Sequence, residues 1–253
     1  GSTPKPKPKA TPTPTPAPTP APTNVVNVPS SIDSTGSQNV QPALQQVING
    51  APDGSTIVFR AGGTYRIDKV LVVSGRRDLT LDGNGARLNL PTVDQGSASQ
   101  GIQVRNSTGT TIRELLLVGN HAKAGTSAAW PAGREDNHGI AVLGGRDTRI
   151  ENVDMRRIWG DCVYTNWATS GGARPSGVVY RDSDCRLTGR NGVTVIAGDD
   201  LRVINNTFDE IGSAVVDIEP NQSVQGGDGF LFRGNAVGSY SHNDRYHGWL
   251  LAA

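Results

Sequence analysis

One four-residue pattern recurs along the chain and constrains the fold more than any other feature of the sequence. It consists of a residue that is usually small, an apolar residue, any residue and a second apolar residue. Counted at the second residue, successive copies lie 38, 23, 30, 23 and 33 residues apart. A structural unit of about 23 residues with loop insertions accounts for these intervals. The second residues of the six copies are Ile102, Ile140, Val163, Val193, Val216 and Trp249.

Short strands with no helices between them predict an all-β chain folded as a right-handed parallel β-helix, in which each strand pairs with its equivalent one coil away. Before the repeats, the sequence predicts a short helix over residues 39–49, with Asn39 as its N-cap and Gly50 as its stop. We expect this helix to cover the open edge of the first coil. The last predicted strand begins at Trp249 and no capping element precedes Ala253, which favours a chain truncated at its C-terminus.

A second pattern is an apolar strand that ends in a polar residue. Asn and Asp adopt left-handed backbone readily and bond neighbouring peptide groups, so they suit the corners of successive coils. The sequence therefore predicts one stacked corner row, formed by Asn152, Asp182, Asn206 and Asn235.

The N-terminal segment differs from the rest of the chain. Its first 23 residues consist mostly of Pro, Thr, Ala and Lys and contain no large apolar side chain. Such a segment cannot form a core, so we expect an extended linker or stalk over residues 1–27 and a β-helix over residues 28–253. A stalk of this kind is typical of a protein that is secreted or tethered at the cell surface.

Charge and hydropathy exclude two classes of function. Three of the 24 basic residues are the stalk lysines Lys5, Lys7 and Lys9, so the remaining 21 face 23 acidic residues. A nucleic-acid-binding protein would show a basic stripe, and no apolar run reaches the length of a membrane span. The only two cysteines, Cys162 and Cys185, can form one disulfide or lie reduced in the core, and their spacing does not decide between the two.

Several segments resemble known families. Residues 28–36, 52–59, 62–65 and 79–85 resemble the N-terminal part of the pectate-lyase-like β-helix superfamily. Residues 189–193 and 217–221 are similar to secreted bacterial right-handed parallel β-helix repeat proteins. The resemblance implies the fold but not the reaction, because the superfamily contains lyases, hydrolases, epimerases and non-catalytic surface proteins.

The catalytic motifs of these families are mostly missing. The Trp-x-Asp-His and Arg-x-Pro-x-x-Arg motifs of pectate lyases and the Tyr-Gly-x-Asp-Pro-His motif of mannuronan epimerases do not occur. Of the polygalacturonase motifs, only Gly198-Asp199-Asp200 matches, and it falls in a predicted turn before a strand. We expect that match to reflect turn chemistry, so no named reaction carries over from the resemblance.

The best candidates for acid–base chemistry are Asp217 and Glu219. They alternate with the apolar Val216 and Ile218, so both carboxylates point outward if the apolar pair points into the core. The same register places Tyr164 in line with Asp217. Two carboxylates on one strand suit a glycosidase, although a simple solvated pair explains them as well.

A predicted corner before this sheet adds further candidates. It holds His138, Asp161 and Asn191, with His247 two coils on, and we expect Asn191 to contact substrate. His138 suits a proton shuttle or a structural hydrogen bond, and Asp161 suits a second catalytic carboxylate. Arg190 suits a clamp for a sugar carboxylate or a salt bridge. The aromatic residues that suit either sugar stacking or loop packing are Tyr164, Trp130, Trp159 and Trp167.

These features predict an extracellular enzyme that acts on a polysaccharide, either a glycoside hydrolase or a polysaccharide lyase, in a groove on a sheet face. In the lyase alternative, Arg190 or His138 works near a neutralised uronate. The remaining alternative is a non-catalytic glycan-binding or cell-surface module. No cofactor is expected, although Asp161, Asp217 and Glu219 offer oxygen ligands that suit calcium. The sequence leaves the oligomeric state open.

Overall fold

The computed structural model describes residues 24–91 and 101–243 and the backbone of residues 251–252. Most of the predicted stalk, as well as His247 and Trp249, lies outside the described residues. The last four residues of the predicted stalk already form a strand, because Asn24–Asn27 pairs in parallel with Ser55–Val58. The sheet therefore begins at Asn24.

The regular elements of the described chain are β-strands, with one α-helix near the start. In chain order these elements are β1 Asn24–Asn27, β2 Thr35–Asn39, α1 Gln41–Gly50, β3 Ser55–Val58, β4 Thr64–Arg66, β5 Leu71–Ser74, β6 Thr80–Asn89, β7 Ile102–Arg105, β8 Thr111–Val118, β9 Ile140–Leu143, β10 Arg149–Ile158, β11 Val163–Asn166, β12 Val179–Arg181, β13 Asp184–Thr188, β14 Val193–Val195, β15 Arg202–Ile204, β16 Thr207–Asp209, β17 Val216–Ile218, β18 Leu231–Arg233, β19 Ala236–Val237 and β20 Leu251–Ala252.

The strands form two sheets in which every described pairing is parallel. The seven-stranded sheet runs β5-β7-β9-β11-β14-β17-β20, with one strand from each coil. The thirteen-stranded sheet covers the other two sides of the coil. Its long strand β10 pairs with both β12 and β13, so later coils divide one strand into two at a corner. This arrangement confirms the predicted right-handed parallel β-helix.

The predicted stacking of equivalent positions is confirmed for five copies of the first pattern. Ile102 pairs with Ile140, Ile140 with Val163, Val163 with Val193, and Val193 with Val216. The row also contains one earlier coil, since Leu71 of β5 pairs with Ile102.

The last predicted copy of the pattern is wrong by two residues. Val216 pairs with Leu251 rather than with Trp249. A shift of two residues preserves the alternation of inward and outward side chains, so the sequence pattern could not distinguish the two registers.

Close packing explains why the first residue of the pattern is usually small. A Cβ on Gly139 would lie 2.7 Å from Sδ of Met155 and 2.9 Å from the carbonyl oxygen of Cys162. The backbone of one coil therefore approaches the core side chains and the next coil too closely for a side chain.

The predicted corner row is correct for its first two members and wrong for the last two. Arg181 pairs with Ile204, and Ile204 pairs with Arg233, so Asn205 and Gly234 stand level with Asp182. The residues of this row all have left-handed backbone, namely Glu114, Asn152, Asp182, Asn205 and Gly234.

Asn206 and Asn235 lie one residue later and form a separate inward ladder. Nδ2 of Asn206 donates to the carbonyl oxygen of Tyr180 at 3.0 Å, and its Oδ1 accepts from the backbone N–H of Ser183 at 3.0 Å. Nδ2 of Asn235 likewise donates to the carbonyl oxygen of Val203 at 2.9 Å. The sequence has Asn at both 205 and 206, so residue type alone could not tell which of the two forms the corner.

The Gly198-Asp199-Asp200 segment is a turn, as predicted. Asp200 belongs to a row of left-handed residues in which Asp and Gly alternate from coil to coil: Asp78, Gly109, Asp147, Gly177, Asp200 and Gly229. A Cβ on Gly229 would lie 2.5 Å from Oδ1 of Asp200. Each glycine thus accommodates the aspartate of the coil beneath it.

The predicted helix forms, but it begins two residues later than expected. Helix α1 spans Gln41–Gly50, and Asn39 is the last residue of β2 rather than the N-cap. Oδ1 of Asn39 nevertheless accepts the backbone N–H of Gln41 at 3.1 Å.

The helix covers the open edge of the seven-stranded sheet, as expected. Nε2 of Gln41 donates to the carbonyl oxygen of Val70 at 2.8 Å. The side chain of Gln45 bonds both the N–H and the carbonyl oxygen of Val72, each at 2.8 Å. Two glutamines therefore satisfy backbone groups of the first strand that no neighbouring strand pairs.

Cys162 and Cys185 form a disulfide, which resolves the two alternatives that the sequence left open. Both cysteines are fully buried. Cys162 directly precedes β11 of the seven-stranded sheet, whereas Cys185 lies in β13 of the other sheet, so the bridge joins two sides of the coil. Among the described helices, none is long and apolar enough to cross a membrane.

Candidate functional site

The candidate site lies on the outer face of the seven-stranded sheet. Tyr164 pairs with Thr194, and Thr194 pairs with Asp217, so the predicted row exists. Asp217 is partly exposed and Glu219 is exposed, whereas Val216, the first residue of the same strand, is buried. Both candidate carboxylates therefore point outward, as predicted.

Asp217 is held by Asn191. Nδ2 of Asn191 donates to Oδ2 of Asp217 at 3.0 Å and to Oγ1 of Thr194 at 2.9 Å. Oδ1 of Asn191 accepts the backbone N–H of Ala214 at 3.0 Å, which fixes the orientation of the amide. Asn191, which we expected near substrate, is buried and orients a carboxylate instead.

The environment of Asp217 favours its protonated form. Burial, followed by the nearby carboxylates of Glu219 and Asp161, raises the pKa of Asp217 to about 6 against the opposing effects of Arg190 and Asn191. A carboxyl group whose pKa lies near the pH of the reaction can both hold and release a proton.

Glu219 is paired with Arg190. The guanidinium NH2 of Arg190 lies 3.1 Å from Oε2 of Glu219, and its Nε lies 3.8 Å from Oδ1 of Asp161. Asp161 is the largest of the influences that raise the pKa of Arg190 above its usual value, so this arginine stays charged. The structure thus places Arg190 in the salt bridges that were one of its two predicted roles.

Asp161 has no exposed surface. Burial alone would raise the pKa of its carboxyl group, but Arg190, His138 and the N–H of Asn191 outweigh that effect and lower it. The backbone N–H of Asn191 donates to Oδ1 of Asp161 at 3.0 Å. Because Asp161 cannot touch a substrate, we assign it a positioning role instead of the catalytic one expected from the sequence.

His138 is also buried, with 1% of its side chain exposed. Its ring stacks on Tyr164 with 4.2 Å between centroids and 8° between planes. Nδ1 of His138 lies 3.1 Å from Oδ2 of Asp161 and 3.2 Å from the backbone N of the same residue. The backbone N–H of Asp161 donates to Nδ1 of His138, so the histidine is fixed by the backbone of the same residue whose carboxylate it faces. His138 therefore supports Tyr164 and cannot reach a substrate.

Tyr164 is the predicted aromatic residue that faces the site. Its hydroxyl oxygen accepts a hydrogen bond from Nδ2 of Asn166 at 2.8 Å. Burial, more than any other effect, raises the pKa of Tyr164 to about 12, so the phenol is neutral and its O–H is a donor at neutral pH.

Two of the three candidate tryptophans, Trp159 and Trp167, are engaged in packing. His121 covers one face of Trp159 with 3.9 Å between centroids and 3° between planes, and the guanidinium of Arg134 covers the other at 4.4 Å. Nε1 of Trp159 donates to Oδ1 of Asn120 at 2.7 Å. Trp167 is buried beside Asn166, which accepts its backbone N–H at 2.7 Å. Neither indole presents a free face to a sugar.

Glycine makes the corner beneath His138 compact. A Cβ on Gly160 would lie 2.8 Å from Nδ1 of His138 and 2.4 Å from the carbonyl oxygen of Glu135. The dense packing here depends on the absence of a side chain between Trp159 and Asp161. Within the part of the chain that the structure describes, no group of three or more His, Cys, Asp or Glu residues is arranged to hold a metal ion.

Comparison with known proteins supports the fold. No protein-family model and no curated protein matches the chain by sequence. Solved structures do match. The catalytic domain of Agl-KA has a TM-score of 0.66 at 16% identity, over 90% of this chain and 42% of its own. The catalytic domain of a GH87 α-1,3-glucanase bound to tetrasaccharides has a TM-score of 0.53 at 16% identity, over 88% of this chain and 38% of its own.

A third match is the A-module of the mannuronan C-5 epimerase of Azotobacter vinelandii, with a TM-score of 0.51 at 15% identity, over 84% of this chain and 67% of the module. The chain has the pectate-lyase-like β-helix fold. This pectate-lyase-like chain spans less than half the length of the two catalytic domains. At such low identity the likeness shows the fold alone, so the function must be argued from the site.

Proposed function

We propose that this chain hydrolyses glycosidic bonds of an extracellular polysaccharide on the outer face of the seven-stranded sheet. The observation that carries the proposal is the difference between two neighbouring outward carboxyl groups. Asp217 has a pKa raised to about 6, whereas Glu219 is a carboxylate paired with Arg190. Two titratable groups with unlike environments are the usual arrangement for one acid and one base.

In this proposal, Asp217 is the general acid. It donates its proton to the glycosidic oxygen as the bond from the anomeric carbon to that oxygen breaks. Glu219 supplies the second carboxylate. It either takes a proton from the water that attacks the anomeric carbon, or it attacks that carbon itself to form an ester that water then hydrolyses, with Asp217 taking the proton of the water. Asn191 orients the acid, and the hydroxyl of Tyr164 donates a hydrogen bond to the sugar.

The buried residues favour hydrolysis over elimination. A lyase needs a base that reaches the proton next to the uronate carboxyl group. Of the two residues proposed for that role, His138 is buried and Arg190 is paired with Glu219 and lies close to Asp161. One structural neighbour is an α-1,3-glucanase, which agrees with a polysaccharide substrate.

An extracellular location is part of the same proposal. The buried Cys162–Cys185 disulfide supports folding in an oxidising compartment. A proline-rich stalk over the first residues would then hold the β-helix away from the cell surface.

The test is a panel of polysaccharides assayed for new reducing ends and for the ultraviolet absorbance of unsaturated uronates. We expect reducing ends without unsaturated product, and a loss of at least about 100-fold in kcat for Asp217→Asn and Glu219→Gln. Asp228→Asn, the same change at an exposed carboxylate away from the site, is the matched control. Unsaturated product would replace hydrolysis with elimination. Binding of glycans by folded protein without turnover would leave a non-catalytic module.

A further inference from the structure

A second concave site lies beside the corner that carries His138. It is a pocket of about 370 Å³ between the loop that follows β8 and Trp159. Its walls include apolar surface from Ala128, Ala132 and Trp130, together with the cationic side chains of Lys123 and Arg134. A volume of this size falls in the range of small-ligand sites.

The pocket is positively charged. No Asp or Glu belongs to its lining. Burial is the main reason that the pKa of His121 is lowered, and the nearby charges of Arg134, Lys123 and Arg157 lower it further. This lowering of the pKa indicates that several cations lie near His121.

Arg134 differs from the arginines of the described chain that are neutralised by a carboxylate. Arg66, Arg113 and Arg156, for example, each form an ion pair with an aspartate. For Arg134, the only side-chain contact found among the described residues is the face of Trp159, 4.4 Å from the ring centroid. Nε of Arg134 is buried, so the donors that this stacked guanidinium keeps for a planar anion such as a carboxylate are those of its two terminal nitrogens.

The platform beneath Arg134 is fixed before any ligand arrives. Trp159 stacks on His121, and Asn120 accepts its indole N–H at 2.7 Å. Nε2 of His121 donates to the carbonyl oxygen of Ala129 at 2.7 Å, which ties this stack to the loop. A preorganised cation loses little conformational entropy on binding an anion.

Backbone contacts connect the pocket to the proposed catalytic face. The N–H of Asn137 donates to the carbonyl oxygen of Arg134 at 3.1 Å, and the N–H of Gly160 donates to that of Asn137 at 2.9 Å. In the sequence, only Gly160 lies between Trp159 and Asp161, and three residues lie between Arg134 and His138. The pocket therefore adjoins the corner that supports Tyr164 on the proposed catalytic face.

We propose that this pocket is a binding subsite for an acidic sugar, whose carboxylate or sulfate group is held by Arg134 and Lys123. The acidic sugar would be part of the substrate of the hydrolysis proposed above, so the role of this subsite in catalysis rests on that proposed function. Binding of the anion itself does not depend on the reaction.

The test is calorimetric titration of the Asp217→Asn protein with oligouronides, sulfated oligosaccharides and neutral oligosaccharides of equal length. We expect at least one anionic series to bind about tenfold more tightly than the neutral series, and Arg134→Gln to remove about tenfold of that affinity. Arg134→Lys should recover only part of it, because the planar stacking is lost. The carboxylated and sulfated series identify which anion the pocket prefers.

Two further variants keep the test decisive. Lys123→Gln changes an exposed side chain, so it probes the charge without risk to the Trp159 stack. Arg233→Gln removes an exposed arginine on the other sheet and should leave binding unchanged. Equal binding of neutral and anionic sugars, or equal losses in Arg134→Gln and Arg233→Gln, overturns the subsite. Anion binding that depends on Arg134 but occurs without turnover in the wild type supports the subsite and removes the hydrolysis.

Discussion

Breaking the Cys162–Cys185 bridge should destabilise the β-helix by a predictable amount. The two cysteines are 23 residues apart in sequence. In the chain-entropy treatment, closing a loop of about this length lowers the entropy of the unfolded chain enough to stabilise the fold by about 3 kcal/mol. For a chain of this size, that corresponds to a decrease of roughly 6–12 °C in the melting temperature when the bridge is opened.

The measurement is thermal and urea unfolding followed by circular dichroism, with and without reductant. Reduced wild type isolates the cross-link, because it keeps both buried side chains. Cys162→Ala/Cys185→Ala should melt at the temperature of the reduced protein or slightly below, since two buried sulfur atoms are also lost. Reductant should leave this double variant unchanged.

The reasoning fails if oxidised and reduced wild type unfold at the same midpoint. That result would mean that the two thiols do not pair, or that the unfolded coil already holds them close. Mass spectrometry of protein that is unfolded and alkylated without reductant separates these outcomes, because unfolding exposes both buried cysteines and only unpaired thiols then take up the reagent.

Three further predictions concern the site and the cap. Activity that depends on protonated Asp217 should decrease as the pH rises through about 6, the value to which its pKa is raised, and a pH profile of kcat/KM that stays flat to pH 8 would contradict its role as the acid. Gly160→Ala should lower the free energy of unfolding in urea by about 1–3 kcal/mol and remove most of the activity, because its Cβ would meet His138. Gly50→Ala has open space around it and should be neutral or slightly stabilising in the same measurement. Gln45→Ala should destabilise the first coil by about 1–3 kcal/mol and increase amide exchange in β5, and unchanged exchange there would show that the helix does not satisfy that edge.

The sequence alone determined the architecture and the direction of the two carboxylates. Inward positions within the strands are mostly apolar and outward positions need not be, so alternation along each strand marks the inner face. Because that requirement repeats in each coil, the spacing identified five stacked positions from Ile102 to Val216. The same alternation placed Asp217 and Glu219 outside.

Register and burial were decided only by the tertiary structure. Adjacent Asn205 and Asn206 satisfy the same local preference, and only pairing with the neighbouring coil assigns one to the corner and the other to the interior. Asp161 and His138 appeared as catalytic candidates because their residue types suit that chemistry, yet the contacts that bury them come from Arg190 and Tyr164, which lie on other segments. The cover on both faces of Trp159 comes from a loop about 30 residues earlier in the chain. Such facts depend on which coils and loops meet in space, and a pattern read along one strand contains no information about its neighbours.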